Sequence, residues 1–147
     1  MIKRRAIIVD LDGTLCNAEH RRHFVEEKDW PSFYKHLVHD EPNSWCVDLV
    51  RRMADDETVV IYMSGRPAVY RTLTEDWLSK HDCDYHAELI MRGIGDYRKD
   101  CIVKEELYRK HVEPHYDVLF CVDDRRQVVD MWRSIGLTCL QCAEGDF

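Results

Sequence analysis

Ala6-Ile7-Ile8-Val9-Asp10-Leu11-Asp12-Gly13-Thr14 is the stretch from which the rest of the chain can be read. Four apolar residues in a row, three of them β-branched, suit a strand that is buried on both faces and has no polar side. Gly13 then allows a sharp turn. Two further runs have the same character, Val59-Val60-Ile61-Tyr62-Met63 and Val118-Leu119-Phe120-Cys121-Val122. Glu88-Leu89-Ile90-Met91 and Leu137-Thr138-Cys139-Leu140 are weaker candidates. Helical spacing lies between them. Val128, Met131, Trp132 and Ile135 recur at i, i+3, i+4, i+7 before Gly136, and Cys46, Leu49, Val50 and Met53 repeat the pattern. Strands alternating with helices predict an α/β fold, a doubly wound (Rossmann-like) parallel sheet of about five strands with helices on both faces.

In such sheets ligands bind beyond the carboxyl ends of the strands. The three strong runs lead into Asp10-Leu11-Asp12-Gly13-Thr14, Ser64-Gly65-Arg66 and Asp123-Asp124-Arg125. A lone Asp-Gly is a common turn and an acidic pair often caps a helix. Three reactive segments at one edge are harder to dismiss. With the first and third strands adjacent, Asp10, Asp12, Asp123 and Asp124 would converge. Two like charges about 4 Å apart cost roughly 4 kcal/mol at an effective dielectric near 20. Such a cluster needs a cation or protons, and oxygen donors without histidine favour Mg2+ over zinc. A carboxylate is already ionised at neutral pH, so Asp10 can attack phosphorus without a base. Residues i and i+2 share a side of an extended chain, so Asp12, if protonated, can serve as general acid and then as base. Thr14 and Ser64 offer hydroxyls to phosphate oxygens.

The remainder bounds the possibilities. A chain of 147 residues fits a single domain, residues 1–147. The first five residues lead into only four apolar ones, too few for a signal-peptide core, and no run approaches a membrane span. Seven cysteines without a leader read as free thiols in a reducing compartment, the cytoplasm. Cys139-Leu140-Gln141-Cys142 has no second pair to complete a zinc site. The pairs His20/His23, His36/His39 and His111/His115 read as surface histidines. A net charge of −7 argues against a long nucleic-acid footprint. The interval between the first two strong strands exceeds one crossover helix. Within it Trp30, Phe33, Tyr34, Leu37 and Val38 make an amphipathic stripe, with Pro31 suited to a first helical turn. Residues 16–44 are therefore either a small cap insertion over the carboxyl edge or an extra helix on the side of the sheet. The aromatics there suit base stacking and core packing equally well.

The chain resembles haloacid dehalogenase (HAD) superfamily phosphatases. Their D-x-D-G-T motif stands as Asp10 to Thr14, their serine as Ser64, their lysine as Lys104 and their acidic pair as Asp123-Asp124. Met63-Ser64-Gly65-Arg66, Arg98-Lys99-Asp100, Val103-Lys104-Glu105-Glu106, Pro114-His115-Tyr116-Asp117, Met131-Trp132-Arg133 and Gly145-Asp146-Phe147 are similar to the 3′-phosphatase domains of bacteriophage polynucleotide kinase–phosphatases. The resemblance implies Asp10 as nucleophile, Asp12 as acid/base and Lys104 as a third catalytic group. It implies Mg2+ held by Asp10, the Asp12 carbonyl, Asp123 and Asp124. Thr14, Ser64, Gly65 and Arg66 would bind phosphate. Asp100 would support Lys104 or an arginine, and Arg21, or the adjacent Arg22, would complete the phosphate site. The implied reaction removes 3′-phosphates from RNA or DNA ends, contacted over one or two terminal nucleotides. No G-x-x-x-x-G-K-S/T phosphate loop is present, so a partner kinase would be separate or fused elsewhere. A nucleotidase acting on free mononucleotides shares every core motif. A non-catalytic phosphate-binding domain would not need all of Asp10, Asp12, Ser64, Lys104 and Asp123.

Overall fold

Arg4–Val9 forms strand β1, and every side chain from Ala6 to Val9 is buried. The computed structural model, which describes residues 2–147, accounts for that run by giving the strand a core on each side. Ile7 and Val9 face one core, Ala6 and Ile8 the other. The strands that follow are β2 (Cys16–Asn17), β3 (Glu41–Pro42), β4 (Thr58–Pro67), β5 (His86–Arg92), β6 (Tyr116–Arg125) and β7 (Cys139–Gly145). The helices are α1 (Arg22–Glu26), α2 (Trp30–Lys35), α3 (Ser44–Met53), α4 (Arg71–Lys80), α5 (Asp100–Leu107) and α6 (Arg126–Ser134).

Five strands form one parallel sheet in the order β5-β4-β1-β6-β7. The first strand is central, and Val9 sits level with Tyr62 on one side and Val122 on the other. α3 and α4 cover one face through Cys46, Val50, Trp77 and Leu78. α6 covers the other through Val128, Val129, Met131 and Trp132, joined by Tyr108 and Val112 of the π-helical turn that continues α5. Both faces of the sheet are thus dry, as the unbroken apolar runs require.

The bounds of three strands differ from the sequence expectation. Strand β7 starts at Cys139, not Leu137, and runs on to Gly145. The N–H groups of Gly136 and Leu137 are taken by the carbonyls of Arg133 and Trp132, at 3.1 and 3.0 Å, which closes α6. Gly136, at φ +93°, makes that turn without strain. Strands β4 and β6 also extend through Ser64-Gly65-Arg66 and Asp123-Asp124-Arg125, with register breaks inside both motifs. Those breaks aim the motif side chains out of the ladder.

Between β1 and α3 the chain makes an excursion closed by the β2–β3 ribbon, in which Cys16 pairs with Pro42. Asn43 pins its base, donating from Nδ2 to the Thr14 carbonyl at 2.8 Å. Asp29 caps α2 by accepting from the Ser32 N–H at 3.2 Å, and Pro31 occupies the first turn. The expected apolar stripe is not continuous. Leu37 is buried, but Trp30 and Val38 remain 45% and 37% exposed. The helix gives way at His36 to a 3-10 turn, whose three residues per turn rotate Val38 out of line. The indole N–H of Trp77 on α4 donates to the Asp40 carbonyl at 2.9 Å, fixing the far end of the excursion.

Candidate active site

Asp10 is the first residue beyond β1, and its N–H still donates to the Val122 carbonyl at 3.1 Å. The pairing holds the aspartate where the central strand meets β6, beside Asp123 and Asp124. Gly13, at φ +83°, turns the chain at once. A Cβ there would collide with the Asp124 carboxylate, so no other residue lets the two motifs approach this closely.

Lys104 enters from α5 and is 1% exposed. Its ammonium donates to Asp10 Oδ1 at 2.8 Å and to Asp123 Oδ2 at 2.9 Å, and stands 3.6 Å from Asp100 Oδ2. Burial alone would drive its proton off, but Asp10, Asp100 and Asp123 outweigh that and hold it charged. The carboxylates are under the opposite pressure. Burial, then Asp123, raises Asp10 well above the carboxylate range, against the pull of Lys104. Burial, then Asp123, pushes Asp124 up to about 6. Asp10, Asp123 and Asp124 each present an oxygen within 4.8 Å of the others. One ammonium among three carboxylates leaves two negative charges in excess. That excess, on hard oxygen donors with neither histidine nor cysteine, suits a divalent cation such as Mg2+.

Asp12 does not join this cluster, contrary to the expected convergence of four carboxylates. Its side chain turns to two arginines. Arg66, at the end of β4, donates from Nη2 to Asp12 Oδ1 at 2.6 Å and from Nε to both oxygens at 3.2 Å. Arg21 donates to Asp12 Oδ1 from its Nη2. Burial raises the Asp12 pKa, but Arg66 and Arg21 together overcome it and hold the carboxyl well below the usual range. The condition set for Asp12 as an acid is therefore not met in this arrangement: the carboxylate is held ionised because two guanidinium groups share it.

Arg21 and Arg22 differ sharply in their surroundings. Arg21 is fully buried, stacked over Phe33 at 4.4 Å and paired with Asp40 at 2.6 and 2.8 Å. Arg22 lies on the surface, paired with Glu19 at 3.0 Å. Thr14 is buried with its hydroxyl 3.4 Å from Asp10 Oδ2 and 3.5 Å from Asp124 Oδ1. The buried Ser64 accepts the Arg66 N–H at 3.1 Å. Gly65 leaves room for the Asp100 carboxylate, which a Cβ would strike. Asp100 stands behind Lys104 and is met by Arg92 at 3.5 Å and Arg125 at 3.6 Å.

Asp40 and Arg92 have no counterpart among the residues picked out from sequence. Asp40 is 2% exposed and gathers Arg21, Arg66 at 3.7 Å and His20 at 2.6 Å. His20 stays on the surface, as expected, with its ring paired to Asp40. Nothing in the local sequence marks Asp40. Arg92 holds the Gly65 carbonyl at 2.8 Å. Its place at the carboxyl end of β5 was a usable signal, by the same edge rule that selected the other motifs. All seven cysteines are free.

Comparison with known proteins shows the family. The family model described as the polynucleotide kinase PNKP phosphatase domain matches residues 4–147. A chain in the structure of the Pnkp1/Rnl/Hen1 RNA repair complex is 37% identical, with a TM-score of 0.88 over 99% of this chain and 44% of that one. A protein described as a bifunctional polynucleotide kinase/RNA ligase in Autographa californica nuclear polyhedrosis virus is 28% identical over 134 residues, 90% of this chain and 18% of the viral protein. The chain thus spans less than half the length of either relative. The class C acid phosphatase from Bacillus anthracis shares the fold, with a TM-score of 0.70 at 16% identity over 100% of this chain and 69% of that one.

Proposed function

Because the chain belongs to the family of polynucleotide kinase phosphatase domains, and so to the HAD-type phosphatases, we propose that it removes terminal 3′-phosphates from nucleic-acid ends through an aspartyl-phosphate. The observation that carries this reading is the division of labour between the two aspartates. Asp10 faces Lys104 and the acidic pair, while Asp12 faces the arginines.

Lys104 occupies Asp10 Oδ1, which leaves Oδ2, 3.4 Å from the Thr14 hydroxyl, as the attacking oxygen. Attack forms an Oδ2–phosphorus bond and breaks the bond from phosphorus to the 3′-oxygen. Arg66 and Arg21 would receive the phosphoryl oxygens, and a phosphate dianion there competes with Asp12 for both guanidinium groups. Released from them, Asp12 can carry the proton that the departing 3′-oxygen needs. It then takes a proton from water, which attacks phosphorus, restores Asp10 and frees inorganic phosphate. Asp10, Asp123 and Asp124, with the Asp12 carbonyl, would hold Mg2+. When bound, that ion offsets charge on the transferring phosphoryl group.

Both long relatives are described by RNA repair or RNA ligation, which supports RNA ends as substrates. Their length supports a kinase or ligase partner, separate or fused. Residues 16–44 would act as a small cap on a single domain, bringing Arg21 to the phosphate. Among the described residues no helix is long and apolar enough to cross a membrane. The seven free cysteines support a reducing compartment, the cytoplasm.

The test is phosphate release, with magnesium, from a short 3′-phosphorylated oligonucleotide beside 3′- and 5′-mononucleotides. Fast release from the oligonucleotide, abolished in a folded Asp10→Asn variant, is the expected result. Preference for mononucleotides would move the enzyme to nucleotide metabolism, and full activity in Asp10→Asn would rule out the covalent route.

A further inference from the structure

Between β5 and α5 the chain crosses the carboxyl edge of the sheet in a short loop, residues 93–99. The loop carries Tyr97, 95% exposed, and Ile94, 74% exposed. A single apolar side chain in water needs no explanation. Tyr97 differs because its backbone is fixed on both sides. Arg92 donates from Nη1 to the carbonyl of Asp96 at 3.1 Å and to that of Arg98 at 2.6 Å. Asp96 in turn accepts from the Arg98 N–H at 3.1 Å and from its guanidinium at 3.0 and 2.7 Å. That clasp closes across Tyr97 and leaves the ring outside it.

The same mount reaches the reaction centre. Arg92 Nε donates to the carbonyl of Gly65, between Ser64 and Arg66, at 2.8 Å, and Nη2 stands 3.5 Å from Asp100 Oδ1. Asp100 follows Tyr97 by three residues and lies 3.6 Å from the Lys104 ammonium that holds Asp10. Three residues span at most about 10 Å. Two or three nucleotides cover that distance at about 3.4 Å each. Tyr34 of the cap is packed between Tyr70 and Trp30, whereas Tyr97 keeps both faces of its ring open to water. Lys99, exposed and without an ion pair among the described residues, comes two positions later.

We propose that Tyr97 is a stacking platform for a base in the last two nucleotides of a single-stranded, 3′-phosphorylated end. This rests on the reading under Proposed function. The terminal phosphate fixes the end of the strand at Asp10, and the strand then leaves across the carboxyl edge of the sheet, where residues 93–99 stand. A flat π-face takes any of the bases, which suits an enzyme indifferent to sequence, and Lys99 adds a positive charge for a neighbouring backbone phosphate. A ring held in place beforehand loses little freedom on stacking. Charged residues are depleted at the cores of protein interfaces, whereas Asp96, Arg98 and Lys99 flank this ring in the chain, which favours a nucleic acid over a protein as its partner. The net charge of −7 fits as well, because stacking on one base needs no long basic track.

The experiment compares kcat/KM for a 3′-phosphorylated single-stranded trinucleotide with that for the same strand carrying tetrahydrofuran residues in its last two positions. The natural enzyme should favour the base-bearing strand by about tenfold, chiefly through KM, in keeping with the strength of base–aromatic stacking. Tyr97→Ala should bring that ratio towards one, and Tyr97→Trp should keep or raise it. The ring lies outside both cores, so neither variant endangers the fold. Equal use of both strands by the natural enzyme would overturn the proposal. So would an undiminished ratio in Tyr97→Ala, which would leave the loop to a protein partner. Release from mononucleotides but from neither strand would instead remove the end-specific reading, and this one with it.

Discussion

Lys104 is one cation facing Asp10, Asp100 and Asp123, and its removal leaves their charges uncompensated in a dry site. Breaking a buried pair from one side costs about 3–5 kcal/mol. We expect Lys104→Met to lose turnover and about 3 kcal/mol of stability in EDTA at pH 7.5, read from the urea midpoint. An unmoved midpoint would contradict this electrostatic role. The carboxylates also set a pH dependence. Asp124 sits at about 6 in the folded protein against 3.8 for an ordinary aspartate. Between those values the folded state keeps a proton that the unfolded state has released. Its contribution is fully present below about pH 4 and is lost as the pH rises through about 6. Asp12, with its lowered pKa, acts in the opposite sense, but only below the ordinary aspartate range. Metal-free protein should therefore lose stability from pH 4 to pH 7, and magnesium should raise Tm more at pH 7 than at pH 5. A magnesium increment independent of pH would refute this.

At the scale of elements, the excursion between β1 and α3 depends on a few ties. The β2–β3 ribbon closes its base, and Asp40 anchors its inner side through Arg21. Its helices are short, six residues in α2 and five in α1, so neither is stable by itself. Asp40→Ala removes the main partner of a buried guanidinium. We expect a loss of about 3 kcal/mol, roughly a tenfold rise in KM for 3′-phosphorylated ends as Arg21 swings free, and faster chymotrypsin cleavage at Trp30, Phe33 or Tyr34. Asp40→Asn should fall between, because an amide oxygen still accepts one guanidinium hydrogen bond. An Asp40→Ala variant with natural KM and digestion rate would show that Arg21 needs no such anchor.

For the whole molecule, the governing quantity is a net charge of −7, with Arg21 and Arg66 already paired to Asp12 and Asp40. Two engaged phosphates on a single strand imply only about a sevenfold loss of affinity from roughly 50 to 200 mM salt. We expect KM for 3′-phosphorylated oligonucleotides to level off by the trinucleotide and to show that shallow salt dependence. Continued improvement with length, or a much steeper salt slope, would point to a longer track along the strand.

What the sequence by itself determined were features written in local order. The apolar runs that became β1, β4 and β6 are contiguous, and so are the reactive residues at their carboxyl ends. A parallel sheet puts the carboxyl ends of such runs along one edge, and the strand order, with β1 between β4 and β6, then brings Asp10, Ser64 and Asp123 together. Tertiary structure alone decided where the side chains turn. Asp12 follows Asp10 by two residues, yet its carboxylate leaves the acidic cluster because arginines 9 and 54 residues away reach it first. Arg21 and Arg22 are neighbours in sequence and differ only in which way the turn before α1 faces. Asp40 and the packing of Tyr70 on Tyr34 were illegible for the same reason. Periodicity records which residues share a face of their own helix or strand, whereas these groups owe their meeting to contacts between elements.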